Sequence, residues 1–153
     1  MATSAEASER ARVLTERVVE ALGLKGEIEI REDDDAITVE VQGDDLGLLI
    51  GRHGQTIDAL QHIAYRVAFR GGEERKRLIV DAAGYRDRRA ATLKHDAERA
   101  ADDAARLGRP VELEPMNAVE RRVVHEHLRE RGGVETHSEG DEPERRLVVS
   151  PLS

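Results

Sequence analysis

The chain has 153 residues, a formal charge of −8, no cysteine and no tryptophan. That length suits one large domain or two small ones, and the missing cysteines exclude disulfides and thiolate metal sites. Residues 1–22 are charged rather than signal-like, and no run approaches the roughly 20 apolar residues that cross a bilayer, so no membrane insertion is expected; the absence of cysteine suits a reducing cytoplasm.

Residues 4–22 predict an amphipathic helix, with Ala11, Leu14, Val18 and Leu22 spaced by three and four and Gly23 as its stop. Ile28 and Ile30 alternate with charged residues as a strand. Asp33, Asp34 and Asp35 make a solvated turn, and Ile37, Val39 and Val41 continue as the second strand of a hairpin. A short helix over Asp45–Ile50 leads into Gly51-Arg52-His53-Gly54. A longer helix runs from Gln55 to about Phe69, with Ile57, Leu60, Ala64 and Val67 on one face and Gly71-Gly72 ending it. The continuous apolar run Leu78-Ile79-Val80 suits a central strand.

Two glycines three residues apart let the backbone turn sharply and approach another molecule closely. Between them stand Arg52 and His53, a cation and a group that can become one, and a helix starts directly afterwards. Such a loop can offer backbone amides, a helix N-terminus and positive charge to a phosphodiester. The charge distribution agrees: residues 1–45 carry −8, 46–80 carry +3, 81–115 carry −1 and 116–153 carry −2. The loop lies in the one net-positive segment, although the total acidity weakens non-specific binding to duplex DNA. Tyr65, Phe69 and Tyr85 are the only aromatic residues, which disfavours a surface that stacks several bases on rings. Arg75, Lys76 and Arg77 read as a solvated turn.

In the second half, Tyr85–Leu107 predicts the longest helix, with Ala90, Leu93, Ala97, Ala100, Ala101, Ala104 and Leu107 as its apolar stripe and Gly108 and Pro110 after it. Val111 and Leu113 form a brief strand. Asn117 and Glu120 make a capping-box pair at the head of a helix over Ala118–Arg131, which Gly132-Gly133 ends. Val134–His137 and Arg145–Val149 then read as paired strands. On a wheel with Val119 at zero, Val123, Val124 and Leu128 fall at roughly 40°, 140° and 180°. Arg121, His125, Arg129 and Arg122 fall at roughly 200°, 240°, 280° and 300°. Apolar and basic arcs are thus opposed, and Arg121 and His125, one turn apart, can reach one phosphate. His127 lies in the apolar arc and reads as structural. No histidine or carboxylate pattern suits zinc, and there is no nucleophile elbow or Walker loop, so neither a metal, a cofactor nor catalysis is expected.

Ile50-Gly51-Arg52-His53-Gly54-Gln55-Thr56-Ile57 resembles the I-G-x-x-G-x-x-I signature of KH domains, and the element order resembles their bacterial, type II arrangement. Arg121 and His125, separated by three residues, are similar to the motif that names the R-three-H domain. The stretches Pro115–Asn117, Ser138–Gly140 and Val148–Val149, with Tyr85–Arg89, resemble the Jag (KhpB/EloR) family over residues 5–150. The resemblance implies an α+β chain: a type II KH domain at 1–82, its three-stranded sheet packed by helices, then a small R-three-H α+β domain at 83–153 with its connecting helix at about 85–107. Many members add an N-terminal Jag domain and a charged linker, which this sequence does not show. The resemblance also implies a cytoplasmic bacterial single-stranded RNA-binding protein, a post-transcriptional regulator linked to cell elongation and division, and pairing with a small KH-only protein (KhpA) or with a second copy. The residues that would hold RNA are Ile50, Gly51, Arg52, His53, Gly54, Gln55 and Ile57 in the KH half, with Val39 and Val41 walling the groove. In the other half they are Arg121, Arg122, His125 and Arg129. Two alternatives stay open: a protein-interaction adaptor whose KH half dimerises, and single-stranded DNA binding.

Overall fold

The computed structural model describes residues 4–71 and 75–153, which fall into two compact units, Met1–Arg86 and Asp87–Ser153. Gly72, expected to help end the long helix of the first half, lies outside the described residues.

The first unit runs α1 (Ser4–Ala21), β1 (Glu27–Glu32), β2 (Ala36–Gln42), α2 (Gly47–Ile50), α3 (Gln55–Ala68) and β3 (Arg77–Ala82). The chain reversal between β1 and β2 is an Asx turn: the Asp33 carboxylate accepts the amides of Asp35 and Ala36, each at 2.8 Å. Those two bonds hold its pKa below the usual carboxylate value. The sheet order is β1-β2-β3, with β1 antiparallel and β3 parallel to β2. Register aligns Ile30, Val39 and Val80 in one row and Ile28, Val41 and Ala82 in the next. These rows meet Leu49, Ile57, Leu60 and Ala64 in one core. Each large side chain buried there contributes about 1.5–3 kcal/mol.

Two expectations change. Leu78-Ile79-Val80 is an edge strand, with β2 at the centre. Its apolar character serves the core face at Leu78 and Val80, and its outer edge is satisfied by side chains. The Val80 amide donates to Gln61 Oε1 at 2.9 Å, and its carbonyl accepts from Arg86 Nε at 2.9 Å. In α1 the buried line is Ala7, Ala11, Thr15 and Val19, whereas Leu14, Val18 and Leu22 are half-buried beside it. Thr15 is tolerated inside because its hydroxyl donates to the Ala11 carbonyl at 2.8 Å.

The second unit comprises α4 (Tyr85–Leu107, its first two residues belonging to the first unit), β4 (Val111–Glu112), α5 (Ala118–Arg131), β5 (Val134–Glu139) and β6 (Arg146–Pro151). Its sheet order is β4-β6-β5, antiparallel throughout. Ala97, Ala100, Ala101 and Ala104 of α4 pack with Val124 and Leu128 of α5 and with Leu147 and Val149 of β6. Small residues on α4 let its neighbours come close. Leu107, expected in the stripe, is exposed.

The predicted capping box forms at the head of α5: Asn117 Oδ1 accepts from the Glu120 amide at 2.8 Å, and Glu120 Oε1 accepts from the Asn117 amide at 3.0 Å. Glu120 Oε2 also accepts from Arg89 Nε on α4 at 2.7 Å, in a pair whose side chains are only 14% and 13% exposed. Farther along, Glu98 receives His127 Nε2 at 2.8 Å and Arg131 Nε at 2.7 Å. Burial pushes the Glu98 pKa up, but the hydrogen bonds from Arg131 and His127 outweigh it, so the carboxyl ends below its ordinary value.

Arg89→Met leaves Glu120 partly buried without its cation, so it should lower unfolding free energy by about 1–3 kcal/mol; a urea titration read by circular dichroism measures this. Glu98 binds protons less readily folded than unfolded, so its contribution is present above the unfolded pKa and lost as acid carries the pH through the folded value. The difference in urea midpoint between the parent and Glu98→Gln should therefore be largest near about pH 6 and shrink towards about pH 3.

Candidate nucleic-acid interface

Steric limits build the loop between α2 and α3. Gly51 has φ +74° and ψ 177°, and a Cβ there would sit 2.2 Å from Thr56 Oγ1 and 2.9 Å from the Thr56 amide nitrogen. Gly54 has φ +77° and ψ 13°. A Cβ on it would lie 2.8 Å from both Cε2 and the hydroxyl oxygen of Tyr85. Only glycine meets both the dihedral and the contact demand. Between them Arg52–Gly54 makes one 3₁₀ turn, with His53 at φ +54° and ψ 26°, a left-handed conformation that histidine enters more readily than most residues. The Gly54 amide donates to the Gly51 carbonyl at 3.2 Å. No side chain caps α3, so this end favours an anion through its dipole.

Arg52 is exposed and makes no hydrogen bond or ion pair among the described residues. His53 is half-buried, and Gln55 is exposed at the first position of α3. Ile50 is half-buried against the core. Ile57 is fully buried, as are Val39 and Val41. This corrects the expectation that these three line an open groove: they fill the core row beneath the loop. Apolar surface next to the loop comes instead from Leu48, 62% exposed in α2. Leu46-Gly47-Leu48-Leu49-Ile50 offers four apolar candidates, and a helical period can turn only one side of them inward. That choice was the signal available in the sequence. Tyr85, the brace under Gly54, is some thirty residues away and had no local signal.

In the second unit the basic arc of α5 does not act as one group. Arg121 is 11% exposed; its guanidinium donates to the Met116 carbonyl and to Glu142, each at 2.5 Å. It therefore ties the loop before α5 to the segment between β5 and β6, and is not presented with His125 to a common phosphate. His125 is exposed, with Nδ1 against Thr136 Oγ1 of β5, which orients the ring and leaves Nε2 without a partner among the described residues. Arg122 is 80% exposed and touches Glu126 at 3.3 Å. Arg129 is exposed with no partner among the described residues. Val119, placed in the apolar arc, is 73% exposed; Val124 and Leu128 alone are fully buried, because α5 meets its neighbours along a narrower strip than the wheel allows. His127 is structural, as its arc implied. Among the described residues no group of His, Asp or Glu could hold a metal ion, and no helix is long and apolar enough to cross a membrane.

The two units match two domain families in sequence order. The KhpA/KhpB KH domain matches residues 9–80 and the R-three-H domain residues 91–151. The chain is 38% identical over 137 residues to the RNA-binding protein KhpB of Clostridium symbiosum, covering 88% of this chain and 62% of that relative. It is 38% identical over 133 residues to that of Lactiplantibacillus plantarum, covering 87% and 41%. With the Bacillus subtilis protein of the same name it shares 30% identity over 144 residues, 93% of this chain and 69% of the relative. The chain belongs to the KhpB family, and it spans between 41% and 69% of the length of these relatives.

Gly51→Ala forces a Cβ against Thr56 backbone at positive φ and should destabilise the first unit by about 2 kcal/mol or more. Arg52→Ala, at an exposed position one residue on, should change stability by less than about 0.5 kcal/mol. Parallel thermal melts would check both.

Proposed function

We propose that this protein binds single-stranded RNA and acts in post-transcriptional control in the cytoplasm. One observation carries the reading. Gly51 and Gly54, neither of which can bear a side chain, hold Arg52 exposed beside the uncapped N-terminus of a 14-residue helix, in the net-positive part of an acidic chain. The backbone at the two glycines would approach the sugar-phosphate chain, Arg52 and His53 would contact phosphate, and Gln55 would reach a base edge; Leu48 would supply apolar contact. In the second unit His125, Arg122 and Arg129 are the groups available to phosphate. Arg121 would act by holding Met116 and Glu142 in place.

The relatives' name, RNA-binding protein KhpB, supports the choice of ligand. A role in cell elongation, and pairing with a KH-only partner, follow from the family resemblance. Phosphate contacts are common to RNA and DNA, so competition between matched RNA and DNA strands would separate the two ligands.

The double variant Arg52→Asp/His53→Asp should weaken binding of a short single-stranded RNA roughly 100-fold, because two cationic contacts become repulsive. Circular dichroism and the melting curve should stay near the parent's, since aspartate tolerates the left-handed position. Parent affinity should fall steeply as salt rises. Unchanged affinity in the variant would remove the loop from the site.

A further inference from the structure

The contacts assigned to the glycine loop hold phosphate and a base edge, and neither kind tells ribose from deoxyribose. That distinction needs a group that meets the 2′-hydroxyl, which both donates and accepts a hydrogen bond. Thr56 is placed to be that group. A Cβ on Gly51 would lie 2.2 Å from Thr56 Oγ1, so the threonine hydroxyl touches the bare Cα of Gly51, where the loop has no side chain of its own. Glycine leaves the space and the hydroxyl takes it. Thr56 is exposed.

The hydroxyl is also unengaged. Threonine within a helix commonly returns its hydroxyl to a carbonyl three or four residues back. Thr15 does so in α1, donating to the Ala11 carbonyl at 2.8 Å. Thr56, in the first turn of α3, makes no such bond and has no other side-chain hydrogen bond among the described residues. Its donor and its acceptor lone pairs therefore stay available to a ligand. Chemistry separates it from its neighbours. Arg52 only donates, which suits phosphate. Gln55 both donates and accepts, but at the end of a long, flexible side chain that reaches away from the backbone. The Thr56 oxygen is one torsion from the main chain, and branching at Cβ restricts that torsion. The hydroxyl is thus held close to the backbone, at the level of a sugar rather than of a base.

We propose that Thr56 Oγ1 hydrogen-bonds the 2′-hydroxyl of the nucleotide held at Gly51, and that this contact makes the loop prefer RNA to DNA. The inference rests on the RNA-binding reading above and deepens it, by naming the residue that selects the sugar. A phosphate oxygen is the competing ligand for the same hydroxyl. The two have different consequences: losing a phosphate contact weakens RNA and DNA alike, whereas losing a ribose contact weakens RNA alone.

The test uses the full chain with an oligouridylate and an oligodeoxyuridylate of about six nucleotides, which share a base and differ only in the sugar. Fluorescence anisotropy should show the parent binding the RNA about fivefold more tightly, the effect of one net hydrogen bond. Thr56→Val keeps the shape and the β-branch but removes the hydroxyl. It should lower RNA affinity about fivefold and leave DNA affinity unchanged, so that the preference disappears. Thr56→Ser should retain the preference. The salt dependence of RNA binding should be the same in the parent and in Thr56→Val, because no phosphate contact is lost. Circular dichroism and melting curves accompany each variant, and Thr56→Ala removes the same hydroxyl should valine disturb the turn. Equal losses on the two strands would assign the hydroxyl to phosphate or to loop shape and overturn the proposal. So would a parent that binds both strands equally, or an RNA preference that survives Thr56→Val; in these two cases the loop's grip on a strand still stands. A parent that binds neither strand would sink the RNA reading, and the role of Thr56 with it.

Discussion

The first unit depends on a place where no side chain fits. At Gly51 and Gly54 the chain must reverse between two helices within three residues, and atoms of Thr56 and Tyr85 occupy the space a Cβ would need. The steric demand fixes everything around it. It sets the start of α3 at Gln55, which sets the phase that sends Ile57, Leu60 and Ala64 into the core. The same phase leaves Gln55, Ala59, His62 and Arg66 facing outward. The exposed cation at Arg52 and the fully buried apolar side chain at Ile57 are therefore two results of one turn. The glycines have two effects at once: they seat the loop on its supports and they bare the backbone.

In the second unit, polar anchors replace bulk. The α4 face is largely alanine, which buries little area for each residue, and the helix is fastened by carboxylates at two levels. Glu120 completes a cap and accepts an arginine from α4 with its other oxygen. Glu98 takes both His127 and Arg131 of α5. Because these groups lie between one-eighth and two-fifths exposed, each pair is stronger than a solvated surface bridge yet does not bear the full desolvation penalty of an interior one.

The element order was legible from periodicity and punctuation, and the Asn117–Glu120 cap from three-residue spacing. What the sequence concealed was depth. A wheel assigns Val119 and Val124 to one arc, but only packing decides that the first faces water and the second does not. The signature glycines stood out, yet their neighbour Ile57 reads as a groove residue when it is a core residue, since an apolar side chain suits either role. Arg121 was misread for the same reason: its spacing from His125 is correct, but its partners, Met116 and Glu142, arrive from loops that no local pattern connects to α5. The run Leu78-Ile79-Val80 reads as a central strand because it is apolar on both faces. In the fold only alternate residues are covered deeply, and its outer side is closed by Gln61 and Arg86.

That closure has an effect on how the sheet can grow. A free strand margin normally invites a neighbouring polypeptide to continue the ladder. At β3 the mid-strand amide and carbonyl of Val80 are already engaged by an amide side chain and a guanidinium, which are locked together at 3.0 Å, the guanidinium also donating to Asp58. Any polypeptide that docks by extending this sheet is therefore steered to the opposite border, at β1, where Glu27, Glu29, Arg31 and Glu32 would screen its approach by charge.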